Sequence, residues 1–594
     1  MRHWKKNLLG FVMVLTVTLT ACGGKWESRE QDVTGDALLV TTVPAEQPTE
    51  ADLFEEYTEE LFRDEIVENT INLHYTLAYP ENFGITEHAP SLGTFSLEEM
   101  QLSCEEMKKI REKITGFSYE ELTEGQQFTY DIILDYIDTE LLAEDLLLYT
   151  EVLGPVTGYQ AQLPVLLAEY TFRREQDVKD YLALVAQTDE VFGQIVAFER
   201  QKSEAGLFMP DYVADAIISQ CQNFIENPEE NYLIEIFESK MNAMEGFSEE
   251  KKQSYITQNS NLVKTEVIWA YQSLIDGLTE LKGTGTNEKG LAGLEDGKRY
   301  YEYLVRSFTG SSKSVEELIQ ATEECIRTSI ALMSQIMTLN PNVINEWDTY
   351  RFCETEPEKI LQDLKQKVME DFPTLSGEIN CEVKMVHSSM EEHMSPAFYL
   401  TPAIDDVGNN MVYINQALMN HNLYTTLAHE GYPGHLLQNV YTASGEYPLI
   451  RNMFSFPGYS EGWATYAEYY AYGIGGLDEE LAEVLVLNNL ATLGIHAYVD
   501  MAIHYLGWNY EDIAQYLATY GLIGEDVQHM YETIVAEPAN YLSYFVGYLE
   551  ISNLQEVAKE SWGENYSLKK FHEAVLKLGP APFELLEKAI KVYE

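Results

Sequence analysis

Two histidines six residues apart, His429 and His435 in the run His429-Glu430-Gly431-Tyr432-Pro433-Gly434-His435, constrain this 594-residue chain more than any other feature. On a regular helix, residues at that spacing lie roughly 240° apart around the axis and about 9 Å apart along it, so they cannot face one metal. The run supplies its own distortion. Pro433 lacks the N–H that would bond back to the His429 carbonyl, and Gly434 tolerates positive φ. The helix is expected to break or bulge at Tyr432–Gly434, with two residues looped out, so that His435 returns to about the place of an i+4 partner. Pro-Gly alone is an ordinary helix stop, and either histidine alone is open to a capping or core reading. Their company sharpens the reading: Glu430 follows the first histidine, and Glu461 comes 26 residues after His435, in Ser460-Glu461-Gly462-Trp463-Ala464.

Two imidazoles, an adjacent carboxylate and a second carboxylate about two dozen residues on are the parts of a hydrolytic zinc site. Catalytic zinc takes three ligands of the His/Glu kind and keeps a fourth position for water, whose pKa it lowers toward about 7. That water needs a base. Glu430 shares its backbone with the first histidine, so it can face the water without being a ligand. Glu461 and Glu468 are seven apart and share a helix face. Glu468 is therefore placed to orient a ligand histidine through its second nitrogen, and it is also the reserve ligand. Such a donor set does not discriminate sharply among divalent ions. Met411-Val412-Tyr413-Ile414-Asn415 reads as a short strand.

The run H-E-G-Y-P-G-H-L-L-Q, with E-G-W-A-T-Y-A-E after it, resembles the bacterial family catalogued as domain of unknown function 885. That family is distantly similar to the thimet oligopeptidase and angiotensin-converting enzyme class of zinc peptidases, the gluzincins. S-P-A-F-Y-L-T-P from Ser395, Tyr413 to Asn415, Val499 to Trp508 and Pro538 to Gly547 resemble stretches of the family in the same order. The likeness covers roughly residues 50 to 594. It implies a mainly α fold: a large two-lobed, zincin-like helical body with a deep central cleft and a short β element beside the active-site helix. It implies His429, His435 and Glu461 as ligands of one Zn2+, Glu430 as the residue that activates the water, and Tyr544 and His504 as stabilisers of the oxyanion. Tyr544 is one of 40 tyrosines, and a lone helical histidine is more often a satisfied core or surface group. In the resembling peptidases a strand such as Met411 to Asn415 pairs with the substrate backbone, which makes Tyr413 and Asn415 cleft residues; packing explains them equally well.

The implied activity is that of a zinc metallopeptidase hydrolysing short peptides. A catalytically inactive peptide-binding lipoprotein and a zinc amidohydrolase acting on a nonpeptide amide remain open beside it. Gly458-Tyr459-Ser460-Glu461-Gly462 also matches the G-x-S-x-G pattern of serine hydrolases, but that elbow needs a strand before it and an α/β sheet around it, and here Pro457 precedes it in a helical sequence.

The N-terminus addresses the chain. Arg2, Lys5 and Lys6 precede an apolar run from Leu8 to about Leu19, which ends in Leu19-Thr20-Ala21-Cys22. This is a lipoprotein signal over residues 1–21 with Cys22 as the lipidated residue. The run is too short for an uncleaved anchor helix of about 20 apolar residues. Residues 22–50 read as a flexible tether, which leaves the body on the extracytoplasmic side of a bacterial membrane. Residues 51–594 read as helical, with apolar residues at three and four spacing in Ala51–Thr70, Ser96–Lys113, Gln176–Glu204, Ser314–Leu339 and Leu481–Tyr498. Capping signals such as Ser314-Val315-Glu316-Glu317 support this. Glycine-rich punctuation from Gly283 to Lys298 suggests a surface loop between an N-terminal half, about 51–290, and a catalytic half, about 291–594. With 38 basic and 97 acidic side chains the formal charge is −59, which excludes a nucleic-acid partner and leans weakly toward cationic peptides. Besides Cys22, five widely spaced cysteines make no disulfide framework.

Overall fold

The computed structural model describes residues 47–593 except 288, 378, 387–390, 392–394 and 446. The expected signal sequence, the expected lipidated Cys22 and the expected tether up to residue 46 lie outside the described residues. Helices dominate the chain, and a three-stranded sheet interrupts them between residues 380 and 414. Helix starts follow the capping chemistry. Ser314 accepts from the Glu317 N–H while Glu317 accepts from the Ser314 N–H, and Thr49 and Thr123 open their helices with the same reciprocal pair. The expected continuous helix from Gln176 to Glu204 is instead two, Glu175–Val185 and Thr188–Glu204. At the break, the Gln187 carboxamide accepts from the Leu92 N–H and donates to the Pro90 carbonyl, so a passing loop holds the chain out of helical register.

The sheet is the seam between two cores. Its order is β1 (Asn380–Met385), β3 (Asn409–Ile414), β2 (Ala397–Leu400), with β1 parallel and β2 antiparallel to β3. Alternate side chains of a strand face opposite ways. Phe398 and Tyr413 join the core built by helices before residue 281, whereas Tyr399, Val412 and Ile414 join the core around residues 343–590. A strand buried on both faces needs apolar residues at every position, which is why β3 shows little polar alternation. Hydrophobic clusters do not divide at residue 290. Ala143 and Leu146 pack with Leu291, Tyr301 and Phe545, and Phe54 and Ile137 pack with Ile450. Among the described residues the helical span Glu479–Leu506 is long and apolar enough to cross a membrane, but 72% of its apolar window is buried inside the protein, as in a core helix.

Candidate metal centre

The two histidines are brought together by a break in the chain at the expected place. One helix, Leu423–Glu430, carries His429 near its end, and the next, His435–Ala443, begins on His435 itself. The four residues between them turn through a cis Tyr432–Pro433 peptide. The Gly434 N–H donates to the Ala428 carbonyl at 2.9 Å and the Leu437 N–H to the Gly431 carbonyl at 3.3 Å, so hydrogen bonding resumes across the insertion. A Cβ on Gly434 would stand 1.8 Å from the His429 carbonyl oxygen, which restricts the position to glycine. The two imidazole centroids lie 4.9 Å apart.

Glu461 arrives from the helix Pro457–Ile474, whose position is set by close backbone approach. This helix crosses Asn540–Trp562 on glycines. A Cβ on Gly462 would lie 2.3 Å from the Gly547 carbonyl carbon, and one on Gly547 would lie 2.2 Å from the Gly458 oxygen. The same crossing brings Tyr544, one turn before Gly547, to the cluster, where its ring stacks on His429 with centroids 6.4 Å apart. Trp463, the neighbour of Gly462, donates its indole N–H to the Pro433 carbonyl at 2.9 Å. The helix that supplies the acid thus also holds the loop that places the second histidine.

The resulting donor set fits a divalent cation. Glu461 Oε2 lies 3.5 Å from His429 Nε2 and 3.6 Å from His435 Nε2, and the three atoms fall within 4.8 Å of one another. Ligands about 2.1 Å from a tetrahedral centre stand about 3.4 Å from each other, close to these separations. All three side chains are buried, and none of the three atoms has a hydrogen-bond partner. Buried polar atoms left unpaired are expensive, and three such Lewis bases facing one point call for a cation. Electrostatics agree. Burial works against charge on His429, but the carboxylates of Glu461, Glu468 and Glu430 outweigh it and lift its pKa to about 10. Burial would also raise Glu461, yet His435 and His429 hold it down at about 2. His435 is lowered, by burial first, with Glu461 opposing.

Two further carboxylates complete the group. Glu468 Oε2 lies 3.4 Å from His429 Nδ1, on the ring edge away from Glu461, as expected of an orienting partner. Glu430 is fully buried; its Oε2 accepts the Tyr399 N–H from β2 at 2.9 Å and its Oε1 has no partner. Burial, reinforced by Glu461 and opposed by His429, raises Glu430 to about 8. The Tyr399 N–H was not foreseen; an edge-strand amide used on a side chain leaves no mark in residue type.

Three expected site residues are not brought to the cluster. His504, expected beside the oxyanion, lies in a wide helical turn, Ala502–Leu506, where its Nδ1 accepts from the Leu291 N–H at 3.1 Å and its Nε2 donates to the Ile534 carbonyl at 2.9 Å. Both ring nitrogens are spent on backbone, burial lowers its pKa to about 4, and the residue is a structural clamp. Tyr413 and Asn415, expected in the cleft, are also corrected. β3 is the central strand, paired on both sides, so it has no free edge for a substrate. The Tyr413 hydroxyl bonds Glu169 and its ring stacks on Phe398, while Asn415 caps the turn Gln416–Leu418 and donates to the Glu391 carbonyl at 2.7 Å. Ser460 lies in the first turn of a helix that follows the turn Leu449–Met453, with no strand leading into it among the described residues, which removes the nucleophile-elbow reading.

A cavity of about 1240 Å³ reaches the cluster. Ser460, Glu461, Ser543 and Tyr544 form part of its wall, and Tyr159, Gln160 and Asn231 contribute from the N-terminal helices.

The sequence profile described as "Bacterial protein of unknown function (DUF885)" matches residues 80–590. None of the curated proteins matches. Among solved structures, a "putative lipoprotein" from Colwellia psychrerythraea superposes with a TM-score of 0.76 at 21% identity, covering 91% of this chain and 98% of that one. A "putative lipoprotein of unknown function" from Shewanella oneidensis gives 0.60 at 16% identity, covering 90% and 99%. At these identities the likeness shows the fold.

Proposed function

The chain belongs to the bacterial family of unknown function DUF885, and from its own site we propose that it is a zinc-dependent metallopeptidase that hydrolyses short peptides. The observation that carries this reading is the convergence of three buried, unpaired ligand atoms beside a carboxylate with one oxygen fixed and the other free. His429, His435 and Glu461 would hold the metal. Zinc in such a donor set supplies a Lewis acid and an acidified water at neutral pH. Glu430 Oε1 takes the proton of the attacking water and passes it to the leaving amine, while the Tyr399 N–H keeps Oε2 in place. The Tyr544 phenol, stacked on His429, donates to the developing oxyanion. Glu468 faces His429 Nδ1 at 3.4 Å, which leaves Nε2 for the ligand position. The 1240 Å³ cavity serves as the substrate cleft of a two-lobed, zincin-like body, and a lipid on Cys22 anchors the enzyme outside the cytoplasm.

A site that only bound peptide would have no use for a buried carboxylate aimed beside the ligands, which favours turnover over mere binding. The test is Glu430→Gln. Zinc content should stay near one per chain while cleavage of a peptide library falls by orders of magnitude; His429→Ala and His435→Ala should lose zinc and cleavage together. Undiminished cleavage in Glu430→Gln, or cleavage that survives a chelator, would sink the reading. A zinc-loaded chain that cleaves no peptide but hydrolyses other amides would move it to an amidohydrolase.

A further inference from the structure

The cavity is one-sided in charge. Among the described residues that line it, seven glutamates stand against a single basic side chain, Arg451. Arg451 is committed elsewhere. Its guanidinium donates to the Leu578 carbonyl at 2.7 Å and the Pro580 carbonyl at 3.0 Å, and it lies over the rings of Tyr447 and Phe128. Four of the carboxylates form a stripe: Glu65 and Glu140 both act on Tyr136, Glu140 and Glu151 on Tyr300, and Glu151 on Glu537. Behind the stripe, Lys202 neutralises Glu151, and the Val156 and Thr157 amides hold Glu537. At its other end, among the described residues, neither Glu140 nor Glu65 is paired with a cation. Glu140 accepts from the hydroxyls of Tyr303 and Ser307, and burial, reinforced by Glu68, Glu106 and Asp64, raises Glu65 to about 7.

A second observation is independent of these charges. Tyr159 and Gln160 line the same cavity on residues 4% and 2% exposed, and the Tyr159 hydroxyl and Gln160 Oε1, buried just behind its surface, have no hydrogen-bond partner. The Gln160 amide nitrogen donates to the Gly154 carbonyl and to Gln220, which fixes the unpaired atom as the acceptor. Gly154 lies directly against the Glu537 carboxylate, so this acceptor adjoins the stripe. Unfilled acceptors on an acidic wall match a ligand rich in N–H donors and positive charge, whereas a carboxylate brought there would lose its water and meet only repulsion.

We propose that the cavity selects cationic peptides, seating a lysine, arginine or amino-terminal charge against Glu65 and Glu140 with Tyr159 and Gln160 as further acceptors, and that it does not anchor a substrate's terminal carboxylate. This rests on reading the cavity as the substrate cleft, but binding tests it without turnover. Fluorescent D-amino-acid peptides of equal length, with blocked ends and carrying lysine, norleucine or glutamate, are titrated into the full chain by anisotropy. At about 0.01 M salt the lysine peptide should bind at least about tenfold tighter than the norleucine peptide and the glutamate peptide weakest, with the preference collapsing near 1 M. Glu65→Gln with Glu140→Gln should cut the lysine-to-norleucine ratio at least threefold. Glu238→Gln with Glu245→Gln, two exposed sites outside the cavity, should leave that ratio alone although the net charge changes equally. Should the double cavity variant misfold, Tyr159→Phe, which removes an unpaired hydroxyl, should still weaken lysine-peptide binding. Equal affinity for the three peptides, or equal loss of preference in the cavity and surface variants, would overturn the proposal. Failure to cleave any L-peptide would instead remove the peptidase reading and leave the charge preference to stand or fall by these titrations.

Discussion

Substituting Gly434 with alanine tests the placement of the second histidine. The added methyl would lie 1.8 Å from the His429 carbonyl oxygen and 2.5 Å from that of Ala428, where ordinary contact begins at 3.4 Å. The worse contact falls short by about 1.6 Å, and both oxygens belong to the backbone of the helix that carries the first histidine, so no side chain can swing aside. Overpacking of this kind costs about 1–3 kcal/mol of folding free energy. The larger consequence falls on the metal. Ligand distances tolerate about 0.2 Å, and moving His435 away from His429 by a fraction of that shortfall should weaken zinc at least as much as losing an outer partner does, on the order of 10–100-fold. Chelator competition reads the zinc affinity, and denaturant unfolding of the metal-free protein reads the stability. Gly193→Ala is the control. Nothing lies within 4 Å of its added methyl, its φ is not left-handed, and it sits inside the helix Thr188–Glu204, so it should stabilise by about 0.4–1 kcal/mol and leave zinc alone. Unchanged zinc affinity and stability in Gly434→Ala would refute the close approach on which the paired histidines depend.

Tyr544→Phe keeps the ring on His429 but removes the donor, so it should lower kcat by about 10²–10³ with zinc content unchanged; an unaltered rate would make Tyr544 a packing residue. His504→Ala leaves the Leu291 N–H and the Ile534 carbonyl buried without partners and should destabilise by about 2–5 kcal/mol, with activity per folded molecule preserved. Loss of rate in folded, zinc-loaded His504→Ala would restore the residue to the chemistry. Asp500 is raised by burial to about 7 from an ordinary 3.8, against the opposing bonds from Tyr301 and the Ala539 N–H. Because the folded state holds this proton more tightly, its contribution is full below pH 3.8 and is lost as pH rises through 7, by up to about 4 kcal/mol. Unfolding free energies across pH 4–7 should therefore fall less steeply in Asp500→Asn than in the parent, and parallel curves would contradict this.

The candidate metal cluster was legible because its parts lie near one another in the chain and are of metal-ligating types. Pro433 and Gly434 announced a break between the two histidines, and the spacing from Glu461 to Glu468 placed an acid on the helix face beside His429. Capping boxes marked helix starts such as Val315–Leu339 because the hydrogen bonds that end a helix are local. What failed was long-range. His504 and Tyr413 carry the same residue types as catalytic groups, and only their partners, Leu291 and Ile534 for one and Glu169 for the other, reveal packing roles. Those partners lie 30 to more than 200 residues away in the chain. The break at Gln187 had a similar cause, since the loop that captures its carboxamide lies 95 residues earlier.

The site is better understood as a crossing of two helices than as a motif on one. Gly458, Gly462 and Gly547 let the backbones of Pro457–Ile474 and Asn540–Trp562 touch, and no Cβ fits at the contact. Glu461 and Trp463 flank Gly462, and Tyr544 precedes Gly547 by one turn, so this contact positions Glu461, the support of the Pro433 loop and the phenol together. His435 then depends on the helix Pro457–Ile474 twice, through Glu461 as its neighbour at 3.6 Å and through Trp463 on the Pro433 carbonyl. A larger residue at Gly462 or Gly547 should therefore act on zinc affinity and on oxyanion stabilisation at once, whereas a change at Gly434 should act on the histidines first. That difference in coupling follows from the crossing geometry, and a pattern confined to residues 429–435 could not produce it.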